Sequence, residues 1–174
     1  VKVFITLANS LSLLRLIIAP IASWAVISGW WLTASFLLLL AILSDMTDGP
    51  IARKKDQESA IGGLLDHTCD ALLVTFLLFS LSKTHEIPVL LPILVLFSFS
   101  QYVLDSKALS GKKLRTSLLG RFNGIAYFVL TSFCIFPEAL KINLPNHYII
   151  VCSWILIAST LISMSERLWK LLTK

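Results

Sequence analysis

Apolar and polar positions divide the chain into six long hydrophobic stretches, at residues 8–28, 31–53, 60–82, 88–109, 119–137 and 146–169. Each approaches the ~20 mostly apolar residues that an α-helix needs to cross a bilayer. The intervening segments, "SGWW", "RKKDQES", "KTHEIP", "LSGKKLRTS" and "FPEALKINLPNH", carry the Gly, Pro, Asn or charge that ends a helix or makes a turn. The pattern predicts an all-α integral membrane protein of six transmembrane helices around a polar cavity. No internal repeat or low-complexity run breaks residues 1–174 into smaller units, so a single domain is expected.

Composition supports this reading. Of the 174 residues 56% are hydrophobic and 14% charged, and mean hydropathy is +0.83. Too little polar surface is available to cover a soluble helical core. The start, "VKVFITLANSLSLLRLIIAP", has the lysine and apolar run of a signal peptide but no cleavage site, and Arg15 interrupts it, so it reads as a retained segment. Cys69, Cys134 and Cys152 lie in apolar stretches without paired or metal-type spacing, which makes them inert small hydrophobes.

Charge orients the helices. Only Lys83 and Lys141 fall at one set of helix ends, leaving 13 of the 15 Lys and Arg residues at the other. By the positive-inside rule both termini, the two basic loops and the opening of the cavity face the cytoplasm, as in a bacterial inner membrane. The formal net charge of +5 then reflects topology and contact with anionic headgroups, and no nucleic-acid partner is expected.

The aspartates need a different explanation. In the second stretch Asp45, Asp48, Gly49 and Ala52 stand at i, i+3, i+4 and i+7, on one helical face. In the third, Gly62, Asp66 and Asp70 stand at i, i+4 and i+8, again one face. The short link forces these helices to run antiparallel as neighbours, so the acidic faces meet near the cytoplasmic surface. Ionised carboxylates at membrane depth cost several kcal/mol each unless a cation joins them. Oxygen donors suit Mg²⁺, Mn²⁺ or Ca²⁺, and a cluster of this size has room for two ions. His67 is expected to turn away from the acidic face, about 100° from Asp66. Gly49, Ala52, Gly62 and Gly63 strip bulk from beside the carboxylates, either for a ligand or for close helix contact. Pro50 kinks the helix just after Asp48.

Asp45, Asp48, Gly49, Ala52, Arg53, Gly62, Asp66 and Asp70 follow the spacing D-x2-D-G-x2-A-R-x8-G-x3-D-x3-D, which resembles the signature of the CDP-alcohol phosphatidyltransferases. The resemblance implies transfer of a phosphatidyl group from CDP-diacylglycerol to an alcohol, with release of CMP. It implies that Asp45, Asp48 and Asp66 hold two Mg²⁺ or Mn²⁺ ions. Asp70 would lie close to the same ions and act as general base on the acceptor hydroxyl. Gly49, Ala52 and Gly62 would make room for the cytidine end, and Arg53 would stand near the diphosphate. Asn9 and Ser12, with Arg15, would line the nucleotide pocket, and the enzyme would be a homodimer.

The segment "LDSKALSGKKLRTSLLGRFNG" is more basic than topology requires. Lys112, Arg115 and Arg121, with Lys107 and Lys113, form either an anion pocket for a phosphorylated acceptor or a headgroup-facing loop. "KKLRTSLLGR" resembles the basic loop of the phosphatidylglycerophosphate synthase branch, which implies glycerol 3-phosphate as acceptor. "D-x-T-C-D" resembles inositol-phosphate-using members and "D-H-x-C-D-A" the choline and ethanolamine phosphotransferases, so inositol phosphate and other alcohols stay open. The competing class is a cation-coupled transporter, which predicts acids spread across the bilayer and an internal repeat.

Overall fold

A computed structural model describes residues 7–54, 60–105 and 118–173 of the chain, with side chains inside α1, α2, α3 and α6 left out at 7–9, 48–54, 60–61 and 171. Six helices follow one another: α1 (Leu7–Ile27), α2 (Trp31–Lys54), α3 (Ala60–Thr84), α4 (Leu90–Asp105), α5 (Leu118–Ala139) and α6 (Asn146–Leu172). All six lie where the apolar pattern predicts them. Among the described residues four contain windows long and apolar enough to cross a membrane: Ser10–Ile27, Gly62–Thr84, Leu118–Ala139 and Asn146–Lys170. The apolar parts of α2 and α4, Trp31–Thr47 and Leu90–Asp105, are shorter.

The helices α1, α2 and α3 form the tightest group. Ala19, Ala22 and Ala25 of α1 and Ala34 and Ala41 of α2 are buried with Leu38, Leu73, Leu77 and Leu81. Small side chains let the backbones approach closely, which is how helices associate when lipid is as apolar as the core. α3 continues to α4 and α5, and α6 packs against α4 and α5. Polar side chains join these helices: Ser159 Oγ donates to Asn123 Oδ1 (2.6 Å), Gln101 Nε2 to the Met164 carbonyl (3.1 Å), and Tyr127 pairs with Thr160 (2.5 Å). The outward faces carry Ile17, Ile21, Trp24, Phe36, Phe97, Ile155 and Ile162, the surface expected of a lipid-facing helix.

Two turns share one device. After α1, Gly29 adopts φ +71°, its N–H bonds to the Val26 carbonyl (3.1 Å), and the Trp30 N–H bonds to the Ala25 carbonyl (2.8 Å). After α5, Lys141 adopts φ 57°, with bonds from Lys141 to Glu138 (3.2 Å) and from Ile142 to Pro137 (2.8 Å). Both are left-handed helix ends that satisfy the last carbonyls, and Gly29 tolerates the conformation more easily than Lys141.

At this same end of the bundle the α3–α4 turn is tied to α5. His85 Nε2 lies 3.5 Å from Glu138 Oε1, and the His85 ring packs edge-on to Trp31 at 5.7 Å. Burial holds the His85 imidazole below its ordinary 6.5, against the pull of Glu138. As pH falls from 6.5 the unfolded chain therefore binds this proton before the folded one, and stability is lost. Thermal unfolding of detergent-solubilised protein should show a lower midpoint at pH 5.5 than at pH 7.5, and His85→Gln should flatten that dependence. An equal pH slope in both proteins would exclude His85 as the group responsible.

Candidate active site

The short link predicts that α2 and α3 are direct neighbours, but among the described residues α1 packs against both of them, and the carboxylates come together across α1, through Arg15. Asp45 projects from α2, and Asp66 and Asp70, one turn apart, project from α3. All three converge on Arg15 of α1. Arg15 Nη1 donates to Asp45 Oδ1 (2.6 Å) and to Asp70 Oδ1, and Nη2 donates to Asp66 Oδ1 and to Ser12 Oγ (3.2 Å). Ser12 Oγ in turn donates to Asp66 Oδ1 (3.2 Å). The Arg15 side chain is 0% exposed, whereas the carboxylates of Asp45, Asp66 and Asp70 are 44%, 26% and 22% exposed. The positive charge is thus buried behind a carboxylate face that remains open, and one guanidinium cannot neutralise three carboxylates.

His67 corrects the expectation that it would turn away. Its Nδ1 lies 3.4 Å from Asp66 Oδ2, and its ring stacks on Tyr102 of α4 at 6.3 Å. A helical offset of 100° separates side-chain roots, but a long side chain beside a neighbouring helix can swing back. Donor atoms of Asp66, His67 and Asp70 all lie within 4.8 Å of one another, close enough to share one ion.

The carboxylates open into a cavity of about 460 Å³. Asp45, His67 and Asp70 line it, together with Ser98, Phe99 and Tyr102 of α4, Gly120, Arg121 and Gly124 of α5, and Arg167 of α6. Arg167 is held over the Tyr102 ring at 5.2 Å, and its Nη1 donates to the Ser98 carbonyl (3.3 Å). Stacking and a backbone bond fix this guanidinium without consuming its charge, which leaves it able to meet an anion in the cavity. A second groove, about 550 Å³, runs between α2 and α5 along Ile42, Val129, Phe133 and Phe136, and it shares Asp45, Ile125 and Phe128 with the first cavity.

Of the residues that the sequence singles out, Asp45, Asp66 and Asp70 meet as expected, and Arg121 lines the same cavity. Ser12 touches Asp66 and so belongs to the carboxylate cluster. Gly62 is half-buried, one turn before Asp66. Asp48, Gly49, Ala52 and Arg53 lie in the last turns of α2 and Asn9 in the first turn of α1, but their side chains are outside the described residues. Lys112 and Arg115 also lie outside them. The sequence reading missed the central position of Arg15 and the presence of Arg167. Arg15 is expected with Asn9 and Ser12 beside the nucleotide but not among the aspartates, and the signal for Arg167 is charge inside an otherwise apolar helix.

The site is thus a partly exposed carboxylate cluster that faces two arginines across one cavity in a bundle of apolar helices. Residues 5–164 match the CDP-alcohol phosphatidyltransferase family, and the chain belongs to it. Over 92% of its length the chain is 23% identical to the CDP-diacylglycerol–glycerol-3-phosphate 3-phosphatidyltransferase 1, chloroplastic, of Oryza sativa, covering 55% of that protein. It is 38% identical to the CDP-diacylglycerol–glycerol-3-phosphate 3-phosphatidyltransferase of Aquifex aeolicus over 41% of this chain and 40% of that one. It is 36% identical to the human cardiolipin synthase (CMP-forming) over 52% of this chain and 31% of that one. The chain thus spans about half the length of the rice relative. Nothing in these matches supports a transporter.

Members of the family generally depend on a divalent metal, and the residues here fit one. Carboxylate oxygens predominate, they converge on a point that demands positive charge, and they are exposed on the cavity side.

Proposed function

We propose that this protein transfers the phosphatidyl group of CDP-diacylglycerol to glycerol 3-phosphate and releases CMP. The observation that carries the reading is a single cavity lined both by the carboxylates Asp45 and Asp70 and by the guanidinium groups of Arg121 and Arg167. The carboxylates suit a metal-bound diphosphate and the arginines an acceptor that carries its own phosphate. The names of the rice and Aquifex relatives agree with this acceptor.

In this reading Asp45, Asp48, Asp66 and Asp70 hold two Mg²⁺ or Mn²⁺ ions, which when bound neutralise the diphosphate and its leaving CMP. Arg121 and Arg167, joined by Lys112 and Arg115, hold the acceptor phosphate. Asp70 accepts the proton of the acceptor hydroxyl as its oxygen attacks the phosphorus bearing diacylglycerol. The P–O bond to CMP breaks, and CMP leaves with the bridging oxygen. Gly49, Ala52 and Gly62 leave room for the cytidine end, with Arg53 near the diphosphate and Asn9 and Ser12 beside it. The apolar groove between α2 and α5 suits the acyl chains of the donor.

The wider architecture we propose is one domain over residues 1–174, with six membrane helices, a cavity open to the cytoplasm and both termini on that side of a bacterial inner membrane. The skew of Lys and Arg supports this orientation. Assembly as a homodimer belongs to the same proposal.

A second reading is an acceptor that is itself a phospholipid, giving cardiolipin. It is favoured by the human relative and by the apolar groove that joins the carboxylate cavity at Asp45. Inositol phosphate remains a third acceptor for the same chemistry. CMP release by purified protein with CDP-diacylglycerol and Mg²⁺ or Mn²⁺ should occur with glycerol 3-phosphate and not with glycerol or inositol. Release only with phosphatidylglycerol would favour the second reading, and release only with inositol phosphate the third. Absence of release with every acceptor would refute the proposed donor.

A further inference from the structure

We infer that Asn123 of α5 is the residue by which the cavity recognises the middle hydroxyl of a phosphorylated glycerol unit, whether free or borne on a lipid headgroup. The inference rests on reading the cavity as the acceptor site. It deepens that reading by matching the one acceptor group that the charged side chains leave over.

Asn123 is only 5% exposed and lines the cavity that Asp70, Arg121 and Arg167 also line. Its Oδ1 accepts a bond from Ser159 Oγ of α6 (2.6 Å), which fixes how the carboxamide is turned. The two remaining donors sit on Nδ2, which makes no bond among the described residues and is not sealed within the packing. An amide anchored at one atom and open at the other is a donor set in place before the ligand arrives. Because the residue is largely shielded from water, a ligand oxygen that meets the amide is favoured, and a ligand lacking that oxygen leaves it unpaired. The helix is bare at the next position: Gly124 lines the same cavity, and a Cβ there would meet nothing within 4 Å.

A phosphorylated glycerol presents three polar groups: a phosphate at one end, the attacking hydroxyl at the other, and a hydroxyl on the carbon between. Arg121 and Arg167 suit the phosphate, and Asp70 suits the attacking hydroxyl. The middle hydroxyl is uncharged and needs a neutral partner. The Tyr127 hydroxyl is already paired with Thr160 (2.5 Å), whereas the Asn123 amide is available. Ser159 acts through Asn123 and is a positioning residue.

The test is CMP release from CDP-diacylglycerol by the purified full chain, with acceptor pairs that differ only in the middle hydroxyl. One pair is glycerol 3-phosphate and 3-hydroxypropyl phosphate; the other is phosphatidylglycerol and phosphatidyl-propanediol. The pair that turns over identifies the glycerol unit as free or lipid-borne. Within it the wild type should prefer the hydroxylated member by about tenfold or more in kcat/KM. Asn123→Leu keeps the volume but not the donors, and Ser159 can return its hydroxyl to its own helix, so the preference should fall to about twofold or less. Ser159→Ala keeps the amide but releases it to turn, and its preference should fall to about a third of the wild-type value or lower. A purely structural role would slow both members of a pair equally and leave the ratio unchanged. No preference in the wild type, or an unchanged ratio in Asn123→Leu, would overturn the inference and leave phosphatidyl transfer intact. If Asn123→Leu does not fold, an unchanged ratio in Ser159→Ala overturns it instead. Turnover with inositol phosphate alone, or with no acceptor at all, would overturn both the glycerol acceptor and this assignment.

Discussion

Asp70→Asn is expected to reduce CMP release by about 10²–10⁴-fold, the usual contribution of a positioned general base. Asp70 lines the cavity that also holds Arg121 and Arg167 and is 22% exposed, so it can reach an acceptor hydroxyl, and it shares Arg15 with Asp45 and Asp66. Asparagine keeps the shape and one acceptor oxygen, which preserves packing against Arg15, but it cannot take a proton at neutral pH. The decisive comparison is with Asp45→Asn, which removes a metal ligand without removing the proposed base. If the assignment holds, raising Mn²⁺ should restore part of the activity of Asp45→Asn and none of that of Asp70→Asn. Full recovery of Asp70→Asn at high Mn²⁺ would show that Asp70 serves only as a ligand, and another group would have to be the base.

Arg167→Met should raise KM for glycerol 3-phosphate by about 30-fold or more, with a smaller change in kcat. Losing one partner of a buried charge contact costs roughly 2–5 kcal/mol. The expectation follows from placement: Arg167 sits over Tyr102, bonds to the Ser98 carbonyl and faces the cavity that holds Asp70. Methionine retains much of the contact with the Tyr102 ring while removing the charge. Arg121→Met should act in the same direction, since Arg121 lines the same cavity. The KM for CDP-diacylglycerol should move little in either variant. A rise confined to the donor KM would place these arginines on the diphosphate, and unchanged KM for both substrates would remove them from the binding site.

These expectations draw unequally on sequence and fold. Asp66 and Asp70 were legible from their one-dimensional spacing, because a helix converts an interval of four into a common face, whereas Asp45 joins them across α1 and not through direct packing of α2 on α3. The six helices were legible for a similar reason: in an apolar solvent every backbone group must be paired within its own segment, so hydrophobic length and turn residues largely define each element. The turn at Gly29 belongs with them, since a glycine between two apolar runs supplies the left-handed residue that ends α1.

His67 and Arg167 became part of the site only through tertiary structure, as did the pairing of Arg15 with the aspartates. The helical position of His67 pointed away from the acidic face, and the approach of Tyr102 from α4 determines where its ring rests. Arg15 lies 30 residues from Asp45 and 55 from Asp70 along the chain, and Arg167 lies 69 from Ser98. No local periodicity relates positions that far apart. The sequence by itself determined which segments become helices and that Asp66 and Asp70 share a face, since both follow from interactions within a few turns. Packing of α1 brought Arg15 to those carboxylates and packing of α6 brought Arg167 to the cavity that Asp45 and Asp70 line, because a buried charge must find its partner wherever the fold brings one.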